Sequence, residues 1–290
     1  MATVPLTLYF HDIQLSKATG FLYRFGTEVV LATNWHVFSG LHPETGAHLN
    51  SSGFTPNRVE FTYFVKSEAN DNSAICCEAK LTLAENGQAT WFEHEGYSLS
   101  PLKIPDVAML PLNDALTNFE EIGSRIVTFT SEMLIQVADK QEDWRAEHAY
   151  PMVASDVFIL GFPKGIRLQG TVPIWKRGSV ATEPLLYALD NAPVFLVDAV
   201  TRSGMSGSPV IFLGDKVTNR SGEVTSIRNG KQSAWLMGVY AGREGVSDAE
   251  IDMALGRVWR RETLDGIFFK RVVGASRISA LVATSYQTGS

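Results

Sequence analysis

The segment from Thr201 to Val210 combines residue types that can perform acyl transfer. It reads Thr-Arg-Ser-Gly-Met-Ser-Gly-Ser-Pro-Val, so Ser206 lies between two glycines just before an apolar run. Acyl transfer by serine needs an exposed hydroxyl beside backbone N–H groups that point at one oxygen, and Gly204 lets the chain turn tightly enough. A plain Gly/Ser hairpin loop is the alternative interpretation. The segment makes Ser206 a candidate nucleophile.

A nucleophilic serine needs a general base, and every histidine of the chain precedes Ser206. The six histidines are His11, His36, His42, His48, His94 and His148. The α/β-hydrolase order, which ends on histidine, is thereby excluded. A subtilisin-type order needs an aspartate before the histidine, and only Asp12 precedes His36, in no helpful context. The order that remains is histidine, aspartate, serine.

Two further residues fit that order. His36 follows the apolar run Val29 to Ala32, and Asp106 opens the apolar run Val107 to Leu112. The spacings along the chain are 70 residues (106 minus 36) and 100 residues (206 minus 106). Each residue alone is weak evidence for catalysis, since a histidine after a strand is commonly structural and an aspartate before a strand commonly belongs to a turn. Together with Ser206 they predict a triad.

Short strands must position these side chains. Apolar or alternating runs broken by Gly, Pro, Asn and Asp fill much of the chain, which is typical of an all-β protein. One amphipathic helical pattern stands near the C-terminus, from Glu262 to Val273. The charge-rich stretch 117–152 separates two strand-rich halves, so we predict domains at 1–116 and 153–290 with 117–152 as their connection.

Three motifs resemble, in order, those of the trypsin/chymotrypsin superfamily of serine proteases. They are Ala32-Thr33-Asn34-Trp35-His36-Val37, Asp106-Val107-Ala108-Met109-Leu110 and Gly204-Met205-Ser206-Gly207-Ser208-Pro209. The resemblance is to the bacterial HtrA-like and glutamyl-endopeptidase-like branches especially. It implies two six-stranded antiparallel β-barrels of chymotrypsin type, with His and Asp from the first, Ser from the second, and a short C-terminal helix.

The resemblance also implies the role of each residue. Ser206 would be the nucleophile, His36 the general base and then acid, and Asp106 the group that orients the imidazole. The backbone N–H groups of Gly204 and Ser206 would form the oxyanion hole. The position before the nucleophile is Met205, which argues against activation by a freed N-terminus; control would then come from loops, a regulatory protein partner or another cleavage.

A specificity pocket is implied around the segment before Ser206 and two later strands. Its predicted residues are Val200, Thr201, Tyr240, Gly242, Arg243 and Arg257. Val200 stands where trypsin-like members carry an aspartate, which disfavours cleavage after Lys or Arg. Thr201 offers a hydroxyl and Arg257 a guanidinium, so an acidic residue on the acyl side of the scissile bond is expected. Two solvated arginines are the alternative for Arg243 and Arg257.

Composition limits the partners. The formal net charge is -6 and there is no long run of Lys and Arg, so we expect no nucleic-acid partner. No apolar run reaches the roughly 18 residues that a membrane span needs. Neither a metal-ligand spacing nor a cofactor motif is present, and the two adjacent cysteines, Cys76 and Cys77, are badly placed for a disulfide. We expect a cytoplasmic bacterial protein that acts on a protein or peptide substrate.

Two functions follow from these observations. The first is a serine endopeptidase that forms an acyl-enzyme on Ser206. The second is a catalytically silent protease-fold module that binds peptides in its cleft.

Overall fold

The computed structural model describes residues 1–69, 73–94, 105–130, 150–167, 171–183, 194–214, 216–218, 224–226, 234–243, 254–268 and 270. The strands of the first half are β1 Thr3–Phe10, β2 Ile13–Phe25, β3 Glu28–Thr33, β4 Arg58–Lys66, β5 Ala74–Thr82, β6 Ala84–Glu85, β7 Gln88–Ala89, β8 Phe92–Glu93, β9 Ala108–Pro111 and β10 Phe129–Thr130. Two short helices lie among them, α1 Trp35–Ser39 and α2 Phe119–Ile122, and a 3-10 turn, Gly123–Arg125, follows α2.

Most of these strands form one sheet of eight strands. Its order is β5-β4-β1-β2-β3-β9-β8, with antiparallel neighbours, and β10 adds to β2 in parallel. The remaining two, β6 and β7, form a separate antiparallel pair. Because β3 lies beside β9, the chain segments that follow β3 and precede β9 emerge at the same end of the sheet.

The second half is built on a closed barrel. Its strands are β11 Tyr150–Pro151, β12 Asp156–Gly161, β13 Ile174–Val180, β14 Val194–Asp198, β15 Pro209–Phe212, β16 Lys216–Thr218, β17 Val224–Ser226, β18 Trp235–Arg243 and β19 Leu255–Arg260. The barrel closes in the order β12-β13-β14-β19-β18-β15, while β11, β16 and β17 form a small separate sheet. A 3-10 turn, Pro163–Gly165, follows β12, and helix α3, Arg261–Ile267, follows β19.

The strands near the centre of the molecule are apolar on both faces. Leu31 of β3 packs into the core of the first half, whereas its neighbours Val30 and Ala32 pack into a second cluster with Leu236 and Trp259 of the other half. Side chains of a strand alternate between its two faces, so a strand covered on both sides reads as a continuous apolar run. The run Val29 to Ala32 therefore belongs to a strand between two cores.

Helix α3 joins the second half to the first. Its Leu264 and Ile267 are almost fully buried in the cluster between the halves, together with Phe268. The ring of Phe268 stacks on Phe25 of β2 with centroids 3.8 Å apart. Leu264, Ile267 and Phe268 of the predicted amphipathic pattern thus lie against the opposite half, whereas residues 271–273 of that pattern lie outside the described residues.

The predicted fold class is confirmed: the protein is all-β, with a closed six-stranded barrel and a short C-terminal helix. The sheet of the first half has eight strands where the resemblance implies a barrel of six, because the short β8 and β10 extend it. The predicted domain limits stay a prediction, and residues 131–149 of the predicted connection lie outside the described residues. Within the described part of the chain, no helix is both long and apolar enough to cross a membrane.

Candidate active site

His36 lies at the point where the central sheet ends. Strand β3 stops at Thr33, Asn34 takes an extended conformation, and helix α1 starts at Trp35. The helix is only one turn long, because Gly40 adopts a left-handed conformation and ends it. His36 is thereby held in the first turn of a helix that begins at the edge of the sheet.

Asp106 contacts His36 through both carboxylate oxygens, one at the imidazole and one at the backbone. The Nδ1 of His36 lies 2.7 Å from Oδ2 of Asp106, and the backbone N–H of His36 donates to Oδ1 at 2.9 Å. Asn34 fixes the other end of this contact, because its side-chain Nδ2 donates to the backbone oxygen of Asp106 at 2.7 Å. An imidazole that donates from Nδ1 keeps the lone pair of its neutral form on Nε2. The arrangement prepares Nε2 to accept a proton.

The electrostatics of the pair favour a protonated imidazole. Burial alone would lower the pKa of His36, but the charge of Asp106 and the hydrogen bond to it together outweigh burial and raise the pKa above its ordinary value of 6.5. Asp106 is 2% exposed, so its carboxylate faces little water that would screen the attraction. A base with a raised pKa accepts a proton more readily.

The Ser206 turn is held against the first half by Thr19. The backbone N–H of Thr19 donates to the carbonyl of Ser206 at 3.0 Å, and its hydroxyl donates to the carbonyl of Gly204 at 2.7 Å. The same hydroxyl accepts the N–H of Phe162 at 3.1 Å. One buried threonine of β2 therefore fixes both the Ser206 turn and the segment that begins at Phe162.

Two glycines of this turn are required by its geometry. Gly204 has φ +91°, and a Cβ there would lie 2.5 Å from the carbonyl oxygen of Phe162. Gly207 has φ +83°, and a Cβ there would lie 2.1 Å from both the carbonyl oxygen of Thr19 and the hydroxyl of Thr33. Thr33 stands three positions before His36, so the contact at Gly207 brings the serine turn to the strand end that carries His36.

Within residues 204–208, two backbone N–H groups donate no hydrogen bond to a described residue. The backbone N–H of Gly207 donates to the carbonyl of Tyr240. The N–H of Met205 donates to the carbonyl of Arg202, and the N–H of Ser208 donates to the carbonyl of Met205. The N–H groups of Gly204 and Ser206 donate to no other residue within the described ranges. These are the two donors expected for the oxyanion hole, and such preorganised donors stabilise charge that develops on a carbonyl oxygen.

Thr201 and Tyr240 lie together next to the turn. Their hydroxyl oxygens are 2.5 Å apart, and both residues are almost fully buried. Gly256 on the neighbouring strand makes room for the ring, since a Cβ there would lie 2.3 Å from Cε2 of Tyr240. The structure thus brings together two of the predicted pocket residues, with hydroxyl groups as their polar surface.

Arg257 is not brought to the same side of the strand. Gly256 and Val258 face Tyr240, and the side chains of a strand alternate, so Arg257 points to the opposite face. Its guanidinium instead contacts Glu44 of the first half, with Nη1 and Nη2 at 3.2 Å and 3.3 Å from Oε1. Spacing along the sequence could not predict the direction of the Arg257 side chain, because a shift of one residue moves a side chain to the other face of its strand.

The other predicted pocket residues are dispersed. Val200 is 47% exposed between two buried neighbours. Gly242 has φ +112° and pairs with Arg257 across the strands, while the backbone of Arg243 pairs with Gly256. The prediction for the Arg243 side chain lies outside the described part of the structure.

Sequence reasoning missed three positioning residues. Thr33 and Asn34 lie inside the predicted His36 motif, so that motif was the signal that could have identified them. Thr19 offered no local signal, because the partner of its hydroxyl is 185 residues away. Among the described residues, no group of three or more His, Cys, Asp and Glu side chains could hold a metal ion.

The geometry defines a class of site: a His–Asp pair at the end of one sheet, with the carboxylate buried and the imidazole 16% exposed, and a serine turn docked beside it. No family model and no curated protein matches the chain. Solved structures that it resembles include the inactive form of the Rv3671c protease, with 18% identity, TM-score 0.40 and 93% of this chain covering 88% of that chain. The active form of the Rv3671c protease from M. tuberculosis is 17% identical with a TM-score of 0.40, and the match covers 93% of this chain and 80% of that chain. The serine endoprotease from Yersinia pestis is 13% identical with a TM-score of 0.44, and the match covers 93% of this chain and 62% of that chain.

Proposed function

We propose that the chain is a serine endopeptidase that hydrolyses peptide bonds through Ser206, His36 and Asp106. The observation that carries the proposal is the double contact of Asp106 with His36, through Nδ1 and through the backbone N–H. It selects one tautomer and one ring orientation, which is what a general base needs. The docking of the Ser206 turn on Thr19 and Thr33 is further support.

The proposed reaction has two stages. Neutral His36 takes the proton of the Ser206 hydroxyl at Nε2 while the serine oxygen attacks the carbonyl carbon of the peptide. The N–H groups of Gly204 and Ser206 donate to the oxygen that becomes negative. His36 then gives its proton to the leaving amine, and water hydrolyses the acyl-enzyme by the same route in reverse. No cofactor takes part in these steps.

The proposal includes a preference for acidic substrates, with Arg257 as the group that attracts a carboxylate. More specifically, we propose that the enzyme is HtrA-like or glutamyl-endopeptidase-like. Thr201 and Tyr240 pair their buried hydroxyl groups with each other next to the Ser206 turn, and neither residue carries the anion that a trypsin-like pocket requires. Cleavage after Lys or Arg is therefore not expected.

Labelling with a fluorophosphonate tests the proposal. The reagent phosphonylates an activated serine, so wild-type protein should gain one label on Ser206, located by mass spectrometry of the digest. Ser206→Ala should gain none, and Ser203→Ala, a change in the same loop, should label normally. A folded wild-type protein that takes no label but binds peptides would instead be a catalytically silent peptide-binding module.

A further inference from the structure

An ion pair connects the two halves of the molecule at one side of the candidate site. Glu44 belongs to the first half and Arg257 to strand β19 of the second half, 213 residues later. One oxygen of Glu44 accepts from both Nη1 and Nη2 of Arg257. The Arg257 side chain is 18% exposed and the Glu44 side chain 48% exposed, so the guanidinium is largely enclosed and its carboxylate partner is open to water.

Glu44 is presented by an organised loop. The loop follows helix α1, and its base is closed by hydrogen bonds from Gly40 N to His36 O and from Leu49 N to Gly40 O. At its tip, Nδ1 of His42 accepts the backbone N–H groups of Glu44 and Thr45 at 3.2 Å and 3.3 Å. Glu44 is thus held in place eight residues after His36 (44 minus 36).

Arg257 lies beside the strand that holds the nucleophile turn. It pairs with Gly242 of β18, two residues beyond Tyr240. Tyr240 accepts the N–H of Gly207 and donates its own N–H to the carbonyl of Ser208. The ion pair therefore runs from the loop after His36 to the strand pair that holds the Ser206 turn.

We infer that Glu44 is an internal competitor for Arg257, and that an acidic side chain of a bound peptide takes its place. The inference rests on the proposed peptide binding between the two halves. A guanidinium stays charged and offers a planar fork of donors to any carboxylate. An ion pair with one half-exposed partner is weak, so a substrate carboxylate can exchange with Glu44 at little cost. Glu44 is in this view a specificity-determining residue.

Binding of peptides to the Ser206→Ala protein tests the exchange without turnover. The probes are short acetylated peptides that carry one Glu, or one Gln, at each position in turn. In this background Glu44→Gln should raise the affinity ratio of the best Glu peptide over its Gln counterpart by about two- to five-fold, the range that an exposed ion pair represents. Arg257→Gln should reduce the ratio to about one, alone and combined with Glu44→Gln.

Glu68→Gln is the matched control. Glu68 is also exposed and paired, with its Oε1 3.0 Å from Nη2 of Arg125, but both residues belong to the first half. Its substitution should leave the ratio unchanged. The inference is overturned if Glu44→Gln leaves the ratio unchanged or lowers it, or if no peptide binds. Fluorophosphonate labelling of the wild type separates this result from the peptidase proposal. If the wild type is labelled but Glu44→Gln leaves the affinity ratio unchanged, only the competitor role of Glu44 is wrong. If the wild type is not labelled but Glu44→Gln raises the ratio, only the peptidase proposal is wrong.

Discussion

The two sides of the candidate site are held in different ways. His36 and Asp106 lie next to the ends of adjacent strands of one sheet, and their hydrogen bonds to described residues stay within the first half. The Ser206 turn belongs to the second half but is fixed by Thr19 and Thr33 of the first. The proposed base is thus oriented by its own sheet, whereas the proposed nucleophile is fixed by contacts that form only when the two halves dock. Substitutions should separate these two dependences.

The largest effect is expected at the nucleophile itself. Ser206→Ala should lower peptidase activity by about a million-fold, because the acyl-enzyme can no longer form. Circular dichroism and the melting temperature should stay near wild type, since the hydroxyl adds little to packing. Turnover that persists in the purified variant would show that another group attacks the substrate.

Loss of the orienting charge should be the next largest effect. Asp106→Asn should lower kcat by about four orders of magnitude, because the amide favours the wrong tautomer of His36. Asp114→Asn, at an exposed position just after β9, is the control and should remain active. If Asp106→Asn proved mild and Asp114→Asn severe, the orienting role would belong to Asp114.

Gly207→Ala breaks the docking of the two halves. The methyl group would meet Thr19 and Thr33 at 2.1 Å while the backbone is held at a positive φ, so we expect about 3 kcal/mol of lost stability and slower labelling of Ser206. Gly26→Ala is the control for φ alone, since its φ is also positive and nothing lies within 4 Å of the added carbon. Equal losses in the two variants would mean that the approach at Gly207 is unimportant.

Thr19→Val should affect the nucleophile side and spare the base. It keeps the shape but removes the hydroxyl that serves Gly204 and Phe162, which typically costs about 1–3 kcal/mol when buried partners are left unpaired. Labelling of Ser206 should slow by roughly ten-fold, while the downfield proton resonance of His36 Nδ1 stays in place. Thr27→Val, at an exposed turn, should change neither property. A displaced resonance in Thr19→Val would show that the two sides are not independent.

The smallest effect concerns the pH profile. Only neutral His36 can accept the serine proton, so kcat/KM should fall as the pH drops through the pKa of His36. Asp106 raises that pKa, which places the acidic limb above pH 6.5. In Asp106→Asn the limb of the residual activity should move to lower pH. A limb that lies below 6.5 in the wild type would contradict the raised pKa.

Local patterns in the sequence were sufficient for the fold class and for nominating the reactive residues. Short apolar runs between turn residues predict strands, and the order of His36, Asp106 and Ser206 follows from position along the chain. The motif around His36 even contains Thr33 and Asn34, whose contacts became clear only in the structure. The fold-class prediction succeeds because strand patterns involve neighbours in sequence, and the three candidate residues can be nominated because they stand next to strand ends.

Contacts between distant residues could be decided only by the folded chain. The role of Thr19 depends on a partner in the other half, and the pairing of Arg257 with Glu44 depends on which face of β19 the side chain occupies. Successive side chains of a strand point to opposite faces, so the sequence alone could not establish the direction of the Arg257 side chain. Composition and spacing thus indicate which groups are available for chemistry, while strand register and the docking of the two halves determine which of them meet.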